Sequence, residues 1–276
     1  MNESSARRAY GRRILAVAGA AVIVAPLVAS QATTVDLSHE TIGKPPSMFE
    51  IVMGFWSVVQ DGSDKVIKVD GAAWKATQDT PTQLLLESAR RVYGTTNEEL
   101  MDNAKQFTVY PVAVLKTVPS FANGTISVKF KTISGNADRA SGILFNLKPN
   151  GDWLSLRYNE MEHNVVLWEF HNGVRRSVIR PHHQLLTDPA DHDKWHELKL
   201  SVDGANIKGY LDGADVLEWT LGSQPGPGRG GRTPNADLYP ANNPVLRPPV
   251  DGKVGLWAKT DTTSYFKDYV VTPAVK

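Results

Sequence analysis

The chain of 276 residues contains no cysteine. That excludes a disulfide framework, a thiolate nucleophile and a cysteine-ligated zinc site. It also lacks a long apolar run: the longest, residues 14–28, is fifteen residues broken by Pro26, short of the roughly 18 or more that a spanning helix requires. Charge of one sign is lacking as well. Thirty basic residues stand against 29 acidic ones, which leaves neither a basic footprint for nucleic acid nor a polybasic anchor for a membrane surface. No G-x-S-x-G elbow or P-loop occurs, so nothing points to serine-hydrolase or phosphate-cradling chemistry.

What is present begins with a leader. Residues 1–13 carry four arginines and one glutamate, the apolar run follows, and small residues Ala29, Ser30 and Ala32 come next. This is the layout of a secretory signal peptide; Arg12 and Arg13 side by side leave twin-arginine export open. Removing 1–30 takes the formal charge from +1 to about −2. The expectation is an exported protein, periplasmic or extracellular, with no membrane insertion after cleavage, and one domain over 31–276.

The body reads as a meander of short strands. Five Asp-Gly pairs (at 61, 70, 203, 212 and 251) and three Asn-Gly pairs (at 123, 150 and 172) punctuate it, the dipeptides suited to turns with positive φ. Period-2 alternation runs between them. In "WLSLRYN" (153–159), Leu154, Leu156 and Tyr158 share one face, and Trp153, Ser155, Arg157 and Asn159 the other. Alternation with many short strands predicts an all-β, antiparallel two-sheet sandwich or jelly roll. Two segments break the pattern. Capping-box spacings at Thr80/Gln83 and Thr96/Glu99, with Gly94 between, predict a small helical insertion over 80–105. It would cover a sheet edge, or act as a lid or the docking element for a protein partner. Residues 222–250 are rich in Pro and Gly and predict a long loop.

The stretch "SGILFNLKPNGDWLSLRYNEMEHNVVLWEFHNGVRRSV" resembles the concanavalin A-like lectin/glucanase superfamily, and within it the laminin-G-like and 3-keto-disaccharide hydrolase-type domains. The matching residues are Gly142 to Phe145, Arg157 with Asn159, Asn164 with Trp168, and Gly173 with Arg175. "KWHELKLSVDGANIKGYLDG" and the closing "GKVGLWAKTDTTSYFKDYVV" are similar to later strands of the family. The likeness covers about 120–221 and 251–272, more weakly 50–75. It implies a jelly roll of two curved sheets, with functions ranging from glycan binding and glycoside cleavage to adhesion, and fold alone does not choose among them. The E-x-D-x-x-E pattern of laminarinase-type members is absent.

Within 159–178 the Asn172-Gly173 turn sets a register in which His171 faces Val174, Phe170 faces Arg175, Glu169 faces Arg176, Trp168 faces Ser177 and Leu167 faces Val178. Glu169 and Arg176 then form an ordinary cross-strand ion pair, and His171 lies solvated at the turn edge. The functional candidates lie just upstream. Arg157, Asn159 and Asn164 are placed to hydrogen-bond sugar hydroxyls in a concave groove, with Trp257 first, or Trp153, as a stacking plane. Glu162 or His163 would be the base if the protein cleaves 3-keto-glycosides by proton abstraction, where the keto group acidifies the neighbouring C–H. Against this stands the reading of the loop acids as solvated turn residues. Residues 180–196 hold His182, His183, Asp188, Asp191, His192 and Asp193. No tight metal template is present, so no cofactor is certain; Asp188, Asp191 and Asp193 are the residues that could hold a divalent metal such as calcium, and a structural loop is the competing reading. A carbohydrate ligand is expected first, a keto-sugar hydrolase or lyase second, an adhesion or structural module third.

Overall fold

The computed structural model describes residues 31–75, 110–172, 174–179, 193–226 and 233–274. The leader, the 80–105 insertion and residues 180–192 lie outside them. The strands are β1 (Thr33–Thr34), β2 (Phe49–Met53), β3 (Trp56–Asp61), β4 (Asp64–Asp70), β5 (Val112–Leu115), β6 (Gly124–Ser134), β7 (Ala140–Leu147) and β8 (Trp153–Asn159). They continue as β9 (Asn164–His171), β10 (Val174–Ile179), β11 (His196–Asp203), β12 (Asn206–Leu211), β13 (Ala214–Thr220), β14 (Lys253–Ala258) and β15 (Thr263–Pro273). Among the described residues, helix is confined to a five-residue turn, α1 (Gly71–Lys75), and 3-10 turns at Ala236–Leu238 and Pro244–Leu246. Among the described residues no helix is long and apolar enough to cross a membrane.

Two antiparallel sheets form a sandwich. One runs β13-β12-β11-β6-β15-β4-β3 with β1 beside β15; the other runs β10-β9-β8-β7-β14-β5-β2. The turn dipeptides account for much of this order. Asp61-Gly62, Asn150-Gly151, Asp203-Gly204 and Asp212-Gly213 lie at the β3–β4, β7–β8, β11–β12 and β12–β13 reversals, and Asn172 stands at the β9–β10 reversal. Asp212 (φ 50°) and Gly213 (φ 81°) both adopt the left-handed conformation that a two-residue hairpin requires. The other three pairs reverse no hairpin: Gly71 opens α1, Gly124 opens β6 and Gly252 precedes β14.

The main core lies between the sheets. Ile126, Val128, Phe130, Leu198, Leu200 and Val202 of the first sheet meet Ile143, Phe145, Leu154, Leu156, Tyr158, Val165 and Leu167 of the second. The second sheet is apolar on both sides. Val112, Val114, Ala140, Leu144, Trp153, Phe170 and Trp257 form a second buried cluster on its outer face, with Tyr110 packed against it. Strands buried on both faces lose clean alternation, as in Ala140–Leu147, where every residue is buried.

The described part of the Pro/Gly-rich segment from 233 to 250 is an end cap rather than a free loop. Val245 and Leu246 join the main core. Asn243 caps the second 3-10 turn by accepting from Val245 N, and Asn146 reaches it by donating to Val245 O at 3.2 Å.

Candidate functional site

Strand β8 is sorted as its alternation predicts. Leu154, Leu156 and Tyr158 enter the core, and Trp153, Arg157 and Asn159 take the other face. Residues 160–163 then turn back into β9. Asn159 shapes this turn: its side-chain oxygen accepts from Met161 N at 2.9 Å and Glu162 N at 3.3 Å, and His163 closes it at φ 48°. The turn brings Glu162 back over the strand. Arg157 Nη2 donates to Glu162 Oε2 at 2.9 Å and to Asn164 Oδ1 at 2.8 Å. Asn164 Nδ2 donates to the same Glu162 oxygen at 3.3 Å.

Three of the residues singled out in the sequence thus form one constellation. Asn159 does not join it, because its Nδ2 donates to buried Asp138 at 2.7 Å, which Lys259 also pairs. His163 stays on the turn. Glu160 is held by Arg139 at 3.1 Å. Solvent enters at Glu162, whose side chain is 44% exposed, whereas Arg157 is fully buried. The open hollow expected here is therefore closed over Arg157, although Arg157 lies on the outer face and not between the layers.

The neighbouring ground is aromatic. In the row across the sheet, Arg157 and Trp257 flank Gly142, where an added Cβ would lie 2.1 Å from Leu156 O. Trp257 is not the open stacking plane expected from the sequence. It is fully buried and stacks on Tyr110 (centroids 5.9 Å, 28°) beside Trp153. The plane that meets the polar cluster belongs to Trp168. Arg157 Cζ lies 5.4 Å from its ring centroid and Arg175 Cζ 4.0 Å. Arg175 also faces Tyr110 at 5.1 Å and Trp257 at 5.5 Å. Burial, reinforced by the charge of Arg157, pulls the Arg175 pKa below its ordinary value, with Tyr110, Asp138 and Glu162 acting in the other direction; guanidinium basicity keeps it cationic. Trp168 and Arg175 were legible only as positions matching the family pattern. The hairpin register, which puts Arg175 opposite Phe170, was the signal that could have added Arg175 to the site.

That register holds from Val174↔His171 to Ser177↔Trp168, then a bulge shifts it so that Leu167 pairs with Ile179 rather than Val178. Two residues of the hairpin differ from expectation. His171 is buried at 6% exposure, its Nδ1 2.6 Å from Asp152 Oδ2; that hydrogen bond raises its pKa against the effect of burial. Glu169 does pair with Arg176 at 3.2 Å, but as a fully buried carboxylate. Its other oxygen accepts from Asn243 Nδ2 at 3.0 Å, and Arg176 goes on to Asp237. Burial pushes the Glu169 pKa up to about 7, against the lowering effect of Asn243, Arg176 and His171. These groups face the sandwich interior at its end, away from the Arg157 face.

Of the metal candidates, Asp188 and Asp191 lie outside the described residues. Asp193 sits 3.7 Å from Lys131. Among the described residues no group of three His, Asp or Glu side chains is arranged to hold a metal ion.

No protein-family model matches the chain, and no curated protein does. Among solved structures it is similar to the carbohydrate-binding module CBM66 from Bacillus subtilis, at 14% identity and TM-score 0.49 over 80% of this chain and 93% of that one. It is similar to a Bacillus licheniformis β-glucanase, at 14% identity and TM-score 0.35 over 60% and 71%. It is similar to chicken galectin 2, at 13% identity and TM-score 0.35 over 55% and 93%. The two antiparallel sheets stand on strand order and register alone.

Proposed function

We propose that this is an exported carbohydrate-binding β-sandwich whose ligand is held on the outer face of the β10-to-β2 sheet, at the turn between β8 and β9. The observation that carries the reading is the shared fork: Arg157 Nη2 bound at once to Glu162 Oε2 and Asn164 Oδ1, beside the ring of Trp168. Fixed planar donors and acceptors next to an aromatic wall suit vicinal hydroxyls, which need several directed hydrogen bonds and contribute little apolar area. Glu162 and Asn164 are the contacts that solvent reaches, and Arg157 fixes both. The leader-like N-terminus motivates export. The carbohydrate-binding module and the glucanase are sugar-related proteins by name, which agrees with this reading without carrying it.

Calorimetric titration of residues 31–276 against a panel of oligosaccharides should give saturable binding that Asn164→Ala weakens. Absence of binding to every saccharide, with a folded protein, would overturn the proposal.

A second reading is cleavage of 3-keto-glycosides, favoured by the solvent-facing Glu162 carboxylate beside a guanidinium. Glu162 would take the acidified proton and Arg157 would stabilise the enolate that develops. A chromogenic 3-keto-glucoside, assayed with and without chelator, decides it. Turnover lost in Glu162→Gln supports the reading, and no turnover by the natural protein ends it.

A further inference from the structure

Among the described residues the charges around Trp168 do not balance. Arg157 is matched by Glu162, and Lys259 by Asp138. Arg175 is the third cation. Among the described residues its guanidinium makes no hydrogen bond or ion pair, and Nη1 is buried with no partner. It is held instead by ring faces: Trp168 at 4.0 Å, Tyr110 at 5.1 Å and Trp257 at 5.5 Å. Its arm is fixed by β-pairing opposite Phe170.

Cation–aromatic contacts position a guanidinium without supplying an oxygen acceptor, and Nη1 has none. Burying a donor without an acceptor is costly. A charged group that no acid neutralises is costlier still. A preorganised planar fork of this kind matches a carboxylate, which accepts two parallel hydrogen bonds and cancels the charge. Glu162 and Asp138 are the nearby acids that contribute to the Arg175 environment, and each is already engaged by another cation.

Resting on the carbohydrate reading above, we infer that the ligand is an acidic glycan, with Arg175 receiving the carboxylate of a uronic-acid unit while Glu162 and Asn164 take neighbouring hydroxyls. Arg175 would then set specificity between charged and neutral sugars, and Trp168 would be the positioning residue that holds its plane.

The test compares a tetragalacturonate with the same oligosaccharide reduced at its carboxyl groups to the neutral form, titrated calorimetrically into residues 31–276. The uronate should bind at least about tenfold more tightly at low salt, with a preference that shrinks as ionic strength rises. Arg175→Gln should bring the charged-to-neutral ratio close to one, and Arg175→Lys should restore part of the ratio. Near-ultraviolet circular dichroism reports whether the aromatic cluster survives each substitution. Equal affinity for the two forms, or a preference that persists in a folded Arg175→Gln protein, would overturn the inference while leaving carbohydrate binding intact. Binding of neither form, when other neutral saccharides bind, would also overturn it; binding of no saccharide at all would remove both.

Discussion

Arg175 lies over Trp168 with its guanidinium carbon 4.0 Å from the ring centroid, and Tyr110 and Trp257 face the same group. A cation–aromatic contact in a desolvated setting contributes about 2 kcal/mol, against about 0.5–1 at an exposed site. Trp168→Leu should lower stability by roughly 2–4 kcal/mol once the lost ring volume is included. It should also release both guanidinium groups. Chemical denaturation measures the first effect. The second should appear as loss of glycan binding greater than that caused by Trp219→Leu, a substitution on the other sheet.

Arg157 and Glu162 form an unequal pair, one fully buried and the other 44% exposed. Removing the exposed acid takes one countercharge from a buried cation. Removing the cation leaves a carboxylate that can turn to water. Glu162→Ala should therefore cost more stability than Arg157→Met, in a setting where stranding a buried charge costs about 3–5 kcal/mol. A double-mutant cycle on denaturation midpoints checks the order; equal costs would mean that the burial asymmetry has no energetic weight.

Stability should fall as the solution becomes more alkaline across the neutral range. Glu169 keeps its proton in the fold to about pH 7, whereas its ordinary value is 4.5. The folded state therefore binds the extra proton between those values, and stability is lost as pH rises through them. The full effect is on the order of 3 kcal/mol. His171 acts in the same direction: its pKa is raised above 6.5 by Asp152, so the stability it adds is present below 6.5 and lost as pH rises through the folded value. Melting temperatures from pH 5 to 8.5 should decline, and Glu169→Gln should flatten most of that slope.

Asn243 ties the end cap to β9. It is fully buried and donates to Glu169 and to Asp237 O, both at 3.0 Å. Asn243→Ala strands those acceptors at roughly 1–3 kcal/mol and removes a bond that favours ionised Glu169. The loss should be larger at pH 8 than at pH 5. Exposed Asn242, which donates to Ala236 O, serves as the control and should cost far less when changed to alanine.

The extent to which this was legible in the sequence follows from how local each feature is. The faces of β8 could be read because Leu154, Leu156 and Tyr158 alternate with Trp153, Ser155, Arg157 and Asn159. The β9–β10 register could be read as far as Ser177 because Asn172-Gly173 fixes it; the bulge beyond leaves no mark in composition. The place of Glu169 could not be read. Its second partner, Asn243, is 74 residues away in a segment whose Pro and Gly content suggests only a loop. His171 was misplaced for the same reason, since Asp152 lies 19 residues before it. Trp257 looked available because an aromatic on an outer face usually meets solvent. Here that face carries its own apolar cluster with Tyr110 against it, and continuous burial along β7 hides the two-sided packing that would have warned of it.

The claim on which the account depends is that a glycan binds beside Trp168. The direct measurement is an NMR titration of the protein with oligosaccharide, following the indole N–H signals of its seven tryptophans and the side-chain N–H signals of Arg157 and Arg175. The account predicts saturable shifts at Trp168 and both arginines, and none at Trp195, which lies between Lys131 and Lys267 near the other sheet. Saturable shifts at Trp195 with Trp168 unmoved would contradict it.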